Sequence, residues 1–449
     1  MNPARVVHSF FRSRWLMRRF ARRDELERWQ DRQVLAHLRW VRERSSYYRE
    51  LYQSLDEHRW RQFPVSDKRV MVEDFDRSNT GNIIARDLVR IAELAVSSRD
   101  FSQRLRGHSI GLSSGTSGKR SLFASSSREN DIWAGALLAR VLRSPVSSCQ
   151  KIGFYHRANN TLYSHVRLGL IEVRFFDLLQ DLSQLLVETH HYQPRMLVGP
   201  PAMLRELADA QNAGEICIRP EKIVSIAEQL DPMDQSRIES VFQVRMDQLY
   251  VATEGFIAAT CRLGRMHLCE DLMVVQEELL CGDHDRFVPI LTDFLRRVQP
   301  VIRYRLSDVL IRSEVPCKCG SIFRSIEKIE GRCDDQLVFE RRSGETIPLL
   351  VFPDFIREVI TSLPAIEAFR VRQVSMGHLQ LMLKTAPSVQ ASVRCDLEQR
   401  LLLLFDRLNV VAPNIDFHDY AVDLARGKLR RVERCFSHPS AETRKATPV

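Results

Sequence analysis

The spacing of apolar positions changes twice along the chain. From residue 23 to 55 charged and apolar residues alternate at the period of an amphipathic helix. Pro64-Val65-Ser66 then breaks the pattern and offers a serine as the N-cap of a following helix. From about Ile110 the texture becomes short apolar runs, at 151–155, 195–198, 222–226, 248–251 and 272–275. Helical patterns at 128–142, 179–189, 201–211 and 234–242 fall among them. Strands alternating with helices predict α/β layering. After Gly331 the scale shrinks to a strand at 336–339, a turn at 342–344, a helix at 352–362, strands at 368–373 and 379–383, and a helix at 389–408. That is an α+β module of small-domain size. The predicted organisation is a helical part over 1–100, an α/β core over 101–333 and a small C-terminal domain over 334–449, with a loose polar tail after Ser437.

Composition narrows the class. Apolar residues are 44% and charged residues 27% of 449, which suits a folded chain and excludes a disordered one. No apolar run is long enough for a transmembrane segment, and arginines interrupt every apolar stretch of the N-terminus, so a cytoplasmic location is expected. The net charge of +9 is uneven, because Arg5, Arg12, Arg14, Arg18, Arg19, Arg22 and Arg23 all precede the first acid, Asp24. With Phe10, Phe11, Trp15, Leu16 and Phe20 interleaved, this segment could lie on an anionic membrane or touch nucleic acid. The preferred reading is a helix with one face packed on the body and a solvated basic side. No nucleic-acid-binding module is present elsewhere, so no nucleic-acid partner is expected. The ten cysteines do not suggest a disulfide framework, and most are expected to be buried as small hydrophobes.

The most informative chemistry is in Ser113-Ser114-Gly115-Thr116-Ser117-Gly118-Lys119. Two glycines let the backbone wrap an oxyanion, the hydroxyls and successive N–H groups can donate to it, and Lys119 adds a positive charge. It is not a Walker A motif, since GxxxxGK[ST] needs a glycine that is missing here, and Arg120 follows the lysine. Tyr250-Val251-Ala252-Thr253-Glu254 follows a strand-like run and ends in a carboxylate suited to Mg²⁺ held on phosphates. Tyr304-Arg305-Leu306-Ser307-Asp308 is expected to end another strand with an acid able to accept from ribose hydroxyls. Gly331-Arg332-Cys333-Asp334-Asp335 marks the change of texture, and Gly427-Lys428-Leu429 lies near the C-terminus.

Together and in this order these motifs resemble the adenylate-forming superfamily of acyl-CoA synthetases and adenylation domains, most nearly its phenylacetate–CoA ligase and coenzyme F390 synthetase-like branch. The stretch from Leu38-Arg39-Trp40 to Ser45-Ser46-Tyr47-Tyr48-Arg49 resembles that branch's opening. The resemblance implies a large multi-sheet α/β N-terminal domain and a small mobile α+β C-terminal domain. It implies that Ser113 through Lys119 cover the β- and γ-phosphates of ATP, that Thr253 contacts phosphate, with Tyr250 beside it, and that Glu254 ligates Mg²⁺. Asp308 would hold the ribose with Arg332 assisting, Glu228 would line the adenine pocket, Asp334 would be the hinge, and Lys428 would reach into the site during adenylation. The chain departs from the family's pattern at Arg120 (usually Pro), Val251 (usually Gly) and Leu306-Ser307 (usually Thr-Gly).

A metal site is suggested separately. Cys261-x₅-His267 and Cys317-x-Cys319 could complete a Cys₃His set for a structural Zn²⁺, with Cys269 as a competing ligand. Tyr155-His156-Arg157 and Phe175-Phe176-Asp177 fall in the region that shapes the acyl pocket of the resembled family, and His190-His191 reads as a helix end. The expected activity is ATP-dependent activation of a carboxylic acid, by branch resemblance an aromatic one, to an acyl-adenylate. Transfer to the thiol of coenzyme A or of the phosphopantetheine of an acyl carrier protein would follow. The alternatives are transfer of AMP to a phenolic hydroxyl and a non-catalytic nucleotide-binding protein. The oligomeric state is left open, a homodimer among the options.

Overall fold

The computed structural model describes residues 1–449 except 99, 101, 113–120, 143–148, 158–165, 281–282, 333–335, 346–347, 422–429 and 437–449. The chain divides into two compact units. The first comprises Met1–Leu230, Asp234–Leu306 and Ile311–Lys328; the second comprises Asp231–Met233, Ser307–Leu310 and Ile329–Val449.

The first unit opens with helices Pro3–Arg19 and Arg23–Arg44. Asn2 caps the former by accepting from the Arg5 N–H, with Pro3 in the first turn where its missing N–H costs nothing. Asp24 and Glu25 start the latter and Arg42 and Arg44 end it, matching the helix dipole. Its buried stripe of Leu26, Trp29, Val34, Leu38 and Val41 shares a core with Tyr48, Tyr52, Trp60, Phe63, Phe294 and Ile302. The first helix packs on helix Ser127–Val141 through Ser9, whose hydroxyl donates to the Ile132 carbonyl at 2.7 Å, and through Arg5, which pairs with Asp131 at 2.8 Å. The inner face is packed as expected, but the other side is not simply a solvated basic one: Arg5 and Arg14 bond to the body, and Phe11 and Trp15 are exposed.

A hairpin, β1 (Ser109–Leu112) and β2 (Leu122–Ser125), precedes the main sheet. The main sheet begins with β3 (Gln150–His156), β4 (Val166–Leu168), β5 (Ile171–Asp177), β6 (Met196–Gly199), β7 (Lys222–Ser225) and β8 (Met246–Ala252). Helices Leu182–Tyr192, Pro201–Ala213 and Pro232–Phe242 alternate with these strands. Such crossovers force parallel pairing, and β5, β3, β6, β7 and β8 run parallel as neighbours. Gly214, at φ 77°, closes Pro201–Ala213 in the left-handed conformation that a C-cap requires.

After β8 the connections shorten, through β9 (Gly255–Thr260), β10 (Met266–Leu268), β11 (Met273–Leu279), β12 (Arg286–Asp293), β13 (Val301–Arg305), β14 (Asp308–Arg312) and β15 (Ser325–Arg332), and the pairs β8–β9, β9–β10, β10–β15, β11–β12 and β12–β13 are antiparallel. The order is β11-β12-β14-β15-β10-β9-β8-β7-β6-β3-β5-β4, with β13 paired to β12. Two expectations need correction. Ser66 caps no helix; it forms a bridge with Tyr304, its hydroxyl donates to the Ile302 carbonyl at 2.9 Å, and its own N–H and carbonyl are taken by Arg303 and Arg305. Asp308 opens a strand rather than ending one, since β13 stops at Arg305.

The second unit has a hairpin of β16 (Leu337–Phe339) and β17 (Leu349–Val351), and a sheet of β18 (Ala368–Ser375), β19 (His378–Lys384), β20 (Asn414–Asp419) and β21 (Val432–Arg434) in the order β20-β19-β18-β21. Helices Pro353–Thr361 and Gln390–Arg407 contribute Ile356, Ile360, Leu397, Leu401 and Phe405 to its core. The buried Gln373 amide bonds both ways with Val338, at 2.7 and 2.9 Å, as a backbone amide would.

Candidate active site and metal-binding cluster

In a sheet whose parallel strands are joined by helices, ligands gather at the carboxyl ends of those strands. Here those ends carry Arg157 after β3, Ile226-Ala227-Glu228 after β7 and Thr253-Glu254 after β8. Ala227 adopts φ 67°, a left-handed conformation unusual for alanine, which concentrates strain at the turn bearing Glu228. Glu228 is 2% exposed in its side chain and pairs with Arg157 at 3.0 Å. A carboxylate buried this deeply needs that cation. Tyr250 is buried in β8, and the β8–β9 register shifts between Tyr250 and Val251. A bulge of this kind re-aims the side chains that follow it.

The Thr253-Glu254 turn is held by residues that no sequence motif announced. Arg296 donates from Nη1 to the Thr253 carbonyl at 2.7 Å, from Nη2 to Gln299 Oε1 at 3.2 Å, and lies over the Phe123 ring at 5.1 Å. Gln299 also accepts from the Ala124 N–H at 3.0 Å and donates to the Leu122 carbonyl at 2.8 Å. The buried Asp293 accepts from the N–H groups of Leu295 and Arg296, at 2.8 and 3.2 Å, and burial pushes its carboxyl up to about 6. β2, which follows Ser113–Lys119 in sequence, is thereby tied to the turn carrying Thr253 and Glu254. The loop residues Ser113, Ser114, Gly115, Thr116, Ser117, Gly118 and Lys119 lie outside the described residues, as do Asp334 and Lys428.

In the second unit Arg332 lies 3.6 Å from Asp308 and donates through Nε and Nη2 to the Ser307 hydroxyl, at 3.0 and 2.5 Å. Gly331 precedes it at φ 147°, a backbone that favours glycine.

A second cluster lies at the far end of β9. Cys261, His267, Cys317 and Cys319 present ligand atoms that all lie within 4.8 Å of one another. Cys261 Sγ is 3.7 Å from Cys317 Sγ, and Cys319 Sγ is 3.5 Å from His267 Nε2. His267 donates from Nδ1 to the Phe323 carbonyl at 2.8 Å, which fixes the tautomer and leaves the Nε2 lone pair facing the thiols. Burial lowers the imidazole's proton affinity, favouring the neutral, ligating form. N–H groups of Leu263 and Ser321 reach Cys261 and Cys319, each at 3.4 Å, as thiolates in a metal turn require. These residues fit a closed Cys₃His tetrahedron. Cys269 is no ligand: it is buried in the apolar core beside Arg140, and burial pushes its thiol up to about 12. Nor are most cysteines buried, since Cys149, Cys217, Cys395 and Cys435 are exposed. At about 3.3 Å per residue, β9 separates this cluster from Glu254 by roughly 20 Å, which suits a structural metal.

No protein-family model matches the chain, and no curated protein matches it in sequence. Solved structures do match. A 2-hydroxyisobutyryl-CoA ligase in the postadenylation state, in complex with 2-HIB-AMP, aligns over 92% of this chain and 91% of its own with a TM-score of 0.65 and 16% identity. The GH3.15 acyl acid amido synthetase aligns over 93% of each chain at 0.56 and 13%. The anthranilate CoA ligase AuaEII, in complex with anthranoyl-AMP, aligns over 72% of this chain and 66% of its own at 0.51 and 11%. Among the described residues no helix is long and apolar enough to cross a membrane. The chain thus has the fold of the adenylate-forming enzymes.

Proposed function

We propose that this protein activates a carboxylic acid with ATP and passes the acyl group to a thiol. The observation that carries the reading is the gathering of Arg157, Glu228 and Thr253-Glu254 at the carboxyl ends of the parallel strands. The adenylate-forming fold and the ordered motifs support it. In the first step a carboxylate oxygen attacks the α-phosphorus, a P–O bond forms, and pyrophosphate leaves. Both reactants are anions, so the protein's contribution is positioning and charge neutralisation. Glu254 would hold Mg²⁺, which when bound neutralises phosphate charge. Ser113 through Lys119 would cover the phosphates, Asp308 and Arg332 would hold the ribose, and Lys428 would bring carboxylate and α-phosphate together. In the second step the sulfur of coenzyme A or of carrier-bound phosphopantetheine attacks the acyl carbon, AMP leaves, and the thiol proton is released. The resembled branch favours an aromatic acid.

Acid-dependent exchange of pyrophosphate into ATP, over aryl, short hydroxy and fatty acids, tests the first step. Exchange with one acid class, abolished in Lys428→Ala, is expected. Absence of exchange with every acid, while ATP binding persists, overturns the reading. Coenzyme A, a holo-carrier protein, amino acids and phenols offered with the active acid then identify the acceptor, and a thioester product is expected.

A further inference from the structure

The first helix packs on the body with one face and leaves the opposite face uncovered. Val7, Phe11 and Trp15 recur at i, i+4 and i+8 and are 50%, 64% and 55% exposed. Large aromatic side chains aligned on one face and open to solvent are a feature that folding alone leaves unexplained. Ser9, Ser13 and Leu16 already fill the packed side.

Charge on the helix and in the residues just after it is sorted in the same way. Arg5 is spent on Asp131, Arg14 bonds to the Leu142 carbonyl, Arg12 feels Asp271, and Arg23 grips the fully buried Glu270 at 2.5 and 2.7 Å. Arg18 and Arg19 are exposed in the last turn and form no ion pair among the described residues, and the Arg19 guanidinium covers the Trp15 ring at 4.5 Å. His8 is exposed beside Val7, and Arg22 is paired with Asp24 at 3.2 Å. No acid lies on the helix.

We infer that this face docks the protein on an anionic lipid bilayer. Phe11 and Trp15 would enter the boundary between headgroups and acyl chains, with Arg18 and Arg19 against lipid phosphates. Aromatic and aliphatic residues flanked by arginine form the composition of a helix lying in that interface. The stripe is a convex ridge three side chains long. That is small beside the roughly 800 Å² per partner of a stable protein interface. A two-fold pair of copies would also set Arg18 and Arg19 near like charges. A bilayer deforms around a ridge and needs no matching groove. Two aromatics and two arginines give weak attachment, so docking is reversible.

The test is co-sedimentation of the full chain with phosphatidylcholine vesicles carrying 0 or 30% phosphatidylglycerol at about 0.1 M salt, one Debye length near 10 Å. Expected are binding to the anionic vesicles only, a loss of about tenfold or more in F11S/W15S, and loss of the anionic preference in R18E/R19E. An unchanged melting temperature shows that each variant folds. A blue shift of tryptophan emission with anionic vesicles, absent in W15F, would place Trp15 in the bilayer. Equal affinity for neutral and anionic vesicles, absence of binding, or undiminished binding by F11S/W15S overturns the inference. A wild-type dimer that F11S/W15S dissociates also overturns it, in favour of a second copy of the chain.

Discussion

Arg296 donates from Nη1 to the main-chain carbonyl of Thr253 across 2.7 Å, and so fixes the turn that carries Glu254. The same guanidinium bonds Gln299, which in turn holds both Leu122 and Ala124 of β2. One buried cation therefore ties the Thr253-Glu254 turn to β2, the strand that follows Ser113–Lys119 in sequence.

Replacing Arg296 should disturb catalysis more than folding. Arg296→Met keeps most of the stem against Phe123 but removes both hydrogen bonds, and Arg296→Lys keeps the charge without the fork. Displacements of about 1 Å at a reacting centre can cost about a hundredfold in rate. Acid-dependent pyrophosphate exchange by Arg296→Met should fall at least about tenfold in kcat, with a smaller change in the KM for ATP. Arg296→Lys should recover only part of it. A pure KM effect in both variants would show that Arg296 does not order the Thr253-Glu254 turn.

The Cys261–His267–Cys317–Cys319 cluster is expected to bind one Zn²⁺ per chain, measured by elemental analysis of the purified full chain. The site staples the β9–β10 turn to the loop before β15, and a ligand that binds only the folded chain stabilises it by mass action. Chelation or C317S/C319S should lower the melting temperature by about 5 to 10 °C, for a loss of a few kcal/mol in a large domain. ATP binding should survive, because roughly 20 Å of strand separates the cluster from Glu254. Metal-free protein with an unchanged melting temperature would leave the four residues as a thiol cluster only.

What was legible in the sequence follows from range. The alternation of apolar runs and helical patterns is local, so β3, β6, β7 and β8 and the helices among them were predicted within a few residues. The Cys₃His set was also legible, since thiol and imidazole chemistry is visible in residue type. Arg296, Asp293 and Gln299 were not, because an arginine in a loop looks the same in sequence whether it meets solvent or a carbonyl from a distant strand. Cys269 misled for the same reason: it sits two residues after His267, yet it points into the core. Ser66 shows the opposite failure, a local capping signal overridden by pairing with Tyr304.

Gly135 sits where the first helix crosses Ser127–Val141. A Cβ there would press on the Val6 carbonyl and lie 2.6 Å from Ser9 Cβ and 2.9 Å from Phe10 N. Alanine would gain up to about 1 kcal/mol of helix propensity. The obstructing atoms include backbone, however, and overpacking of that kind costs about 1–3 kcal/mol. Gly135→Ala should therefore lower stability on balance, read as a lower urea midpoint. The same substitution should weaken vesicle binding, because it shifts the helix that presents Phe11 and Trp15. An unchanged midpoint would mean that the helix slides without cost.

His37 should set an acid limit on the first unit. Its ring is fully buried, stacks on Trp40 at 6.4 Å, and neither nitrogen has a hydrogen-bond partner among the described residues. Burial first, and then the positive charge of Arg297, push its pKa down to about 3. The folded chain thus holds His37 neutral, while the unfolded chain binds a proton near the ordinary value of about 6.5. Between those two values the unfolded state carries the extra proton, so stability rises with pH across the window. The contribution is complete above about pH 6.5 and is lost as pH falls toward 3. From pH 7.5 to 4.5 the loss is about 2.5 kcal/mol, at about 1.4 kcal/mol per pH unit. His37→Leu removes the titrating group at similar volume and should flatten the acid limb of urea-unfolding stability while changing it little at pH 7.5. A parallel pair of curves for the two proteins between pH 4.5 and 6.5 would show that His37 takes up its proton without unfolding the core around Trp40.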